Sequence, residues 1–269
     1  MSIVRFIKEL TSDADACREL SEEDAHDLFA AMLDGGVPDM ELGACLSVLR
    51  MKHESASELH GFYRAASERV YVLKPPATAL RLLIFATYCG ARQEPNLLPL
   101  LVLLLRRMGV PVLVHGTLEG GGLRMVGADH PRQLAQQEAF LLVTGFDALL
   151  IKCTEGEPFA NPKQRPRIKF FRQGEAVVLF EEEMHSTRGT TSQPSAVDAA
   201  ATAAWVKQAM AGQVPIPHPL VNQLACCLYA SGYTDDMNQA KAIAAVEAGG
   251  LTPQIHERSI DGGHSRTVT

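Results

Sequence analysis

The chain has 269 residues, 46% of them hydrophobic and 21% charged, with a mean hydropathy of +0.01; this excludes a disordered or fibrous protein and leaves ample core for one large domain or two smaller ones. The longest apolar run, Leu97 to Leu105, contains Pro99 and stops at Arg106 and Arg107, well short of the ~20 residues that span a bilayer, so no membrane segment is expected. The net charge of -6 argues mildly against nucleic acid as a partner of the whole surface, yet residues 1–75 hold fourteen acids and eight Lys or Arg, so the remainder is neutral overall and can carry a basic patch.

The N-terminus MSIVRFIKEL intersperses charges with apolar residues and does not read as a secretory signal. Ser21 can cap a first helix whose opening acids Glu22, Glu23 and Asp24 favour the positive helix end. Leu28, Phe29, Met32 and Leu33 follow at helical spacing, and Gly35-Gly36 stops it. Pro38 and Asp39 open a second helix with Leu42, Cys45, Leu46 and Leu49 inward, ending near Lys52. Ser55 or Ser57 starts a third, with Leu59, Phe62, Tyr63 and Ala66 inward, until Lys74-Pro75-Pro76 breaks the pattern. Residues 1–74 therefore read as a small all-helical domain followed by a proline hinge.

Past the hinge the pattern changes to short apolar runs bounded by Gly and Pro. Leu80 to Ala86, Val110 to Val114, Phe146 to Lys152 and Ala176 to Phe180 read as strands; Leu97 to Met108, Ala196 to Met210 and Pro219 to Ser231 read as helices. Strands alternating with helices at this spacing predict a larger α/β domain, residues 75–251, with a mostly parallel sheet flanked by helices. Residues 252–269 are polar and Gly-rich, a frayed tail. Six scattered cysteines without CxxC spacing read as reduced core thiols of a cytoplasmic protein. His185, His218, His256 and His264 share no metal-ligand spacing, so no metal or cofactor is expected.

The segment MLDGGVPDMELGACLSVLRMKHESASELHGFYRA, with its Gly-rich turn and its Lys52-His53-Glu54 turn, resembles the helical domain of anthranilate phosphoribosyltransferases. The resemblance continues through NLLPLLVLLLRRMGVPVLVHG and ALLIKCTEGEPFANPKQRP to PIPHPLVNQLACCLYASG, over nearly all of residues 1–233. It implies the nucleoside phosphorylase/phosphoribosyltransferase fold, pairing of helical domains into a homodimer, and affinity with a non-biosynthetic, DNA-binding branch of the family.

The departures from the biosynthetic pattern carry the functional expectation. Tyr88-Cys89-Gly90-Ala91-Arg92 stands where the family has a glycine-rich phosphate loop; one glycine remains, and Arg92 can clamp a phosphate but cannot help hold magnesium. Asn96 keeps the family's asparagine, but Leu97, Leu98 and Pro99 replace the residues that contact the sugar phosphate. The family's Lys-His-Gly turn is here Val114-His115-Gly116, with His115 either a phosphate contact or a hydrogen-bonded turn residue. Thr154-Glu155-Gly156-Glu157 lacks the adjacent pair of carboxylates that holds magnesium. Between Gly120-Gly121-Gly122 and Leu123 a long segment of the family is absent. Together these changes make transfer to anthranilate improbable, because positioning and charge neutralisation supply most of such catalysis.

The most informative positive feature is Lys163-Gln-Arg165-Pro-Arg167-Ile-Lys169-Phe-Phe-Arg172. In an extended chain Lys163, Arg165, Arg167 and Lys169 would share one side, a ridge able to follow a phosphodiester backbone, with Ile168 and Phe170 on the other. The bland alternative is a solvated edge balanced by Glu155, Glu157 and Glu175. Through the resemblance Lys52, Arg92, Arg106 and Arg107 become further candidates at an interdomain cleft, although Arg106 and Arg107 also suit a helix C-terminus and Lys52 a helix end. Three functions stay open: nucleic-acid (DNA, or RNA) binding through an interdomain basic groove, glycosyl or phosphoribosyl transfer to an unidentified acceptor, and a non-catalytic dimeric interaction protein.

Overall fold

The computed structural model describes residues 2–12, 17–70, 78–87, 93–115, 122–183 and 193–249. The expected proline hinge, the loop holding Arg92 and the polar tail lie outside them.

Four helices, α1 (Val4–Leu10), α2 (Glu22–Asp34), α3 (Asp39–Lys52) and α4 (Ala56–Ser67), gather around a core of their own that includes Phe6, Leu10, Leu28, Cys45 and Leu49. The Ser21 hydroxyl accepts from the Asp24 amide, and Ser55, rather than Ser57, closes a reciprocal capping box with Glu58. Helix α1 was not foreseen: its charges hide Ile3, Phe6 and Leu10, whose spacing of three and four places them in the core. Leu33 and Leu46 are about half exposed, against expectation, because α2 and α3 bury only the narrower stripes Ala25-Leu28-Ala31 and Cys45-Leu49. Helices α2 and α4 touch at Gly61, where an added Cβ would sit 2.3 Å from the Glu22 carbonyl oxygen.

The remainder is an α/β unit: β1 (Leu83–Ala86), α5 (Leu98–Arg107), β2 (Val112–His115), β3 (Leu123–Ala128), α6 (Pro131–Thr144), β4 (Ala148–Thr154), β5 (Glu157–Ala160), β6 (Ile168–Arg172), β7 (Glu175–Phe180), α7 (Ala199–Met210), α8 (His218–Ser231) and α9 (Met237–Gly249). The strand order is β2-β1-β3-β4-β6-β7, with β5 paired to β4 beside that path. The first four run parallel, as the βα alternation predicts, and beyond β4 the pairing turns antiparallel. The two-residue turn Gln173-Gly174, both residues at positive φ, joins β6 to β7. Strand β7 is the edge, with Val177 and Val178 exposed on it.

One sheet face packs on α5, α7, α8 and α9, the other on α6, giving two separate apolar clusters. Helix α8 is buried nearly all round, and its Gln223, fully buried, accepts from the Ala160 amide and donates to the Pro158 carbonyl, fixing β5. Parallel strands β2 and β3 flank β1 on either side, yet only residues 116–122 separate them in sequence, against the dozen or more that such a crossover ordinarily uses.

Of the cysteines among the described residues, Cys45, Cys153, Cys226 and Cys227 are buried core thiols; Cys17 is exposed and corrects the expectation for that position. Burial pushes the Cys45 and Cys153 thiols up to about 11, and those of Cys226 and Cys227 higher. Alkylation of the native protein followed by peptide mass mapping is therefore expected to label Cys17 and spare these four until denaturant is added. Gly61→Ala forces α2 from α4 and is expected to lower unfolding free energy by ~1–3 kcal/mol in urea titrations.

Candidate nucleic-acid interface

The parallel strands end together at Ala86, His115, Ala128 and Thr154, the edge of an α/β sheet where backbone turns and helix starts collect polar groups. Several of the expected residues meet here. The Asn96 side chain accepts from the Leu98 amide and starts α5, and the His115 carbonyl accepts from the Thr87 amide. Glu155, at positive φ, reaches back so that its carboxylate accepts from the amides of Gln93 and Glu94, each at 3.0 Å. Glu157 is fully buried. One of these carboxylates is thus committed to backbone amides and the other enclosed. The pair does not fit the divalent cation that a phosphoribosyltransferase scaffold would place here.

The basic run does not form one straight ridge. Residues 162–164 turn, and the β6 register shifts between Ile168 and Lys169, so the four cations fan out around the sheet edge. Lys163 pairs with Glu94 at 2.9 Å. Arg165 donates to the Glu181 carbonyl and lies over the Phe180 ring, 5.2 Å from its centroid, a ring that Lys241 also approaches at 4.9 Å. Arg167 meets the Glu181 carboxylate at 2.8 Å and Lys169 meets Glu138 at 2.6 Å. The partner acids are therefore Glu94, Glu181 and Glu138, not the expected Glu155, Glu157 and Glu175. Ile168 and Phe170 do face inward, as the alternation required, and Pro166 is buried with them.

Lys152 was not singled out from the sequence. It lies in the second half of β4 and, with Arg167 and Lys169, borders a cavity of about 380 Å³ between α6 and the sheet. A single charged residue interrupting an apolar strand was the available signal.

Other candidates fall elsewhere. Lys52 is buried and bound to the fully buried Glu58, whose carboxylate also accepts from the Leu20 and Ser55 amides. It is a structural cation, correcting its place among phosphate ligands. Arg107 donates to the carbonyls of Met210 and Glu247, tying α5 to α7 and α9. Arg106 and Arg107 end α5, and Arg172 ends β6, all at the opposite edge of the sheet from Asn96 and His115. Arg92 lies outside the described residues.

The helical bundle meets the α/β unit through the Lys52-His53-Glu54 turn. His53 adopts φ 63, which aims the carbonyls of Lys52 and Glu54 at Arg132 and Gln136 on α6. Tyr63 stacks edge-on against Phe140 and Phe146 at 5.5 and 5.3 Å, and Arg124 covers Phe146 at 3.9 Å.

Residues 4–70 match the model for the glycosyl transferase family, helical bundle domain. The protein YbiB of Escherichia coli (strain K12) is 31% identical over 306 residues, covering 86% of this chain and 95% of that protein. The chain belongs to the anthranilate phosphoribosyltransferase-like family. That alignment is longer than the whole present chain, so the relative carries residues inside the matched region that have no counterpart here. Anthranilate phosphoribosyltransferase from Methanothermobacter marburgensis is 35% identical over 100 residues, 37% of this chain and 28% of that enzyme. Among solved structures, the Thermus thermophilus enzyme superposes with a TM-score of 0.63 at 17% identity, covering 86% of this chain and 92% of that one. The Saccharomyces cerevisiae enzyme in complex with PRPP and Mg gives 0.66 at 10% identity, covering 92% and 93%. At those identities the structures show the shared fold: helical bundle plus α/β unit with a mixed sheet. No helix among the described residues is long and apolar enough to cross a membrane.

Removing the Lys52 ammonium leaves the Glu58 carboxylate buried and uncompensated. Lys52→Met is expected to cost ~3–5 kcal/mol of stability by chemical denaturation. A loss below ~1 kcal/mol, the level of an exposed pair, would show that water reaches the site.

Proposed function

We propose that this chain binds nucleic acid without sequence preference, holding the phosphodiester backbone along Lys163, Arg165, Arg167, Lys169 and Lys152, and that it does not transfer phosphoribosyl groups. The observation that carries the reading is the fan of cations around one sheet edge. Lys163 and Arg167 are each more than half exposed, as is Glu181. Ion pairs of that kind contribute about 0–1 kcal/mol each, so a phosphate can take the place of the carboxylate at little cost. The commitment of Glu155 and enclosure of Glu157 favour binding over catalysis. Asn96 and His115 lie at the same edge and complete the contact surface. The aromatics there are few, which supports backbone contact over base stacking and hence low specificity.

The reading includes a cytoplasmic protein acting as a homodimer, for which exposed Met40 and Met51, on one side of α3, offer apolar surface. A second reading, glycosyl or phosphoribosyl transfer to an unidentified acceptor, is favoured by the scaffold alone. Heat released on titrating PRPP and magnesium into the protein would support it.

Fluorescence anisotropy with labelled single- and double-stranded DNA is expected to show affinity falling with salt, at a log-log slope of roughly -0.7 to -0.9 per phosphate neutralised. Lys163→Ala and Arg167→Ala should each flatten the slope by about 1, whereas Arg172→Ala, at the far edge, should leave it unchanged. Binding that is absent at low salt, or insensitive to salt, refutes the proposal.

A further inference from the structure

We infer that the cavity between α6 and strands β4 and β6 is a site for one nucleoside monophosphate unit. Small-molecule sites run from roughly 300 to 1,000 Å³, and this one, at about 380 Å³, has room for a single nucleotide and no more. Its walls are divided by chemistry. Pro131, Leu134 and Ala135 on α6 face Leu150 on β4 and offer an apolar slot for the flat faces of a base. Lys152, Arg167 and Lys169 also line it and supply the charge for a phosphate.

Two acids complete the lining, Glu138 and Glu182. Glu138 is held by Lys169, whose ammonium meets both of its oxygens at 2.6 and 2.7 Å. An ammonium has a third donor to spare, and a carboxylate has lone pairs beyond those used, so the pair can bind phosphate with one end and a ribose hydroxyl or exocyclic amine with the other. The cavity is separate from the bundle interface: α6 turns Arg132 and Gln136 towards the Lys52-His53-Glu54 turn and Leu134, Ala135 and Glu138 towards the cavity.

A base can enter this slot only when it is unpaired and unstacked, because a duplex hides its faces. The unit can therefore be a free nucleotide or one residue of a single strand whose neighbouring phosphates reach Arg165 and Lys163. The second source rests on the nucleic-acid reading above; the first does not.

The test uses the full chain and two variants, Ala135→Trp, which fills the slot from an exposed helix position, and Lys152→Ala, which removes a phosphate contact. Calorimetric titration with AMP is expected to show binding in the wild type, weakened about tenfold or more by Ala135→Trp and measurably by Lys152→Ala. In anisotropy the wild type should favour a single strand over a duplex of equal length, and Ala135→Trp should narrow the preference. Absence of AMP binding, or binding unchanged in both variants while circular dichroism shows an intact fold, overturns the site. AMP binding without strand binding assigns the site to free nucleotides and defeats only the reading of the cationic edge. Strand binding with equal affinity for duplex, and none for AMP, defeats only the cavity.

Discussion

The helical bundle is organised by one buried carboxylate. Glu58 is cut off from water yet fully employed: it accepts from the Leu20 amide ahead of α2, from the Ser55 amide that opens its own helix, and from the Lys52 ammonium that ends α3. A carboxylate placed this way fixes three chain segments at once, since any that withdrew would leave charge stranded in a low-dielectric interior. The strained His53 turn that follows Lys52 is held by the same contact, and that turn presents the carbonyls gripped by α6. The orientation of the bundle on the sheet therefore traces back to Glu58, with the Tyr63, Phe140 and Phe146 rings as its apolar complement.

At the sheet edge the charged groups are engaged with the chain itself. A carboxylate occupies backbone amides at positions 93 and 94, and the cations that gather nearby belong to the antiparallel extension, not to the loops of the parallel core. At 17% and 10% identity, the likeness to the solved phosphoribosyltransferase structures is one of fold. A shared fold does not by itself assign a function.

Much of the architecture was legible in the residues. Ser21, Ser55, Gly35 and Pro38 announced helix ends because capping is a local interaction, and the parallel core followed from apolar runs of strand length between helices. Helix α6 escaped notice because its face is mixed: Gln136 and Phe140 serve the bundle while Leu134 and Leu141 serve the sheet, which blurs any periodic signal. The cationic edge was half legible. The alternation of Arg167 and Lys169 with buried Ile168 and Phe170 is a local property, and so is the turn at 162–164, where the Asn161 side chain and carbonyl accept from the Lys163 and Gln164 amides; the pairing of Lys163 with Glu94 is a tertiary contact that no local pattern announces. Lys52 misled for a related reason, since a lysine ending a helix carries no mark in the sequence of the acid six residues on that encloses it.

Strand β7 ends the sheet with a row of backbone groups and two exposed valines, Val177 and Val178, a surface on which another molecule could build a further strand. Directly after it comes Glu181-Glu182-Glu183, of which Glu181 pairs with Arg167 and Glu183 accepts from the Arg165 backbone amide. Charges flanking an apolar edge act as gatekeepers, making edge-to-edge stacking of copies repulsive. Neutralising the triplet would release Arg167 while leaving Arg165 on the Glu181 carbonyl, and would at the same time open the edge to self-assembly, so the same acids set the charge of this segment and its resistance to stacking.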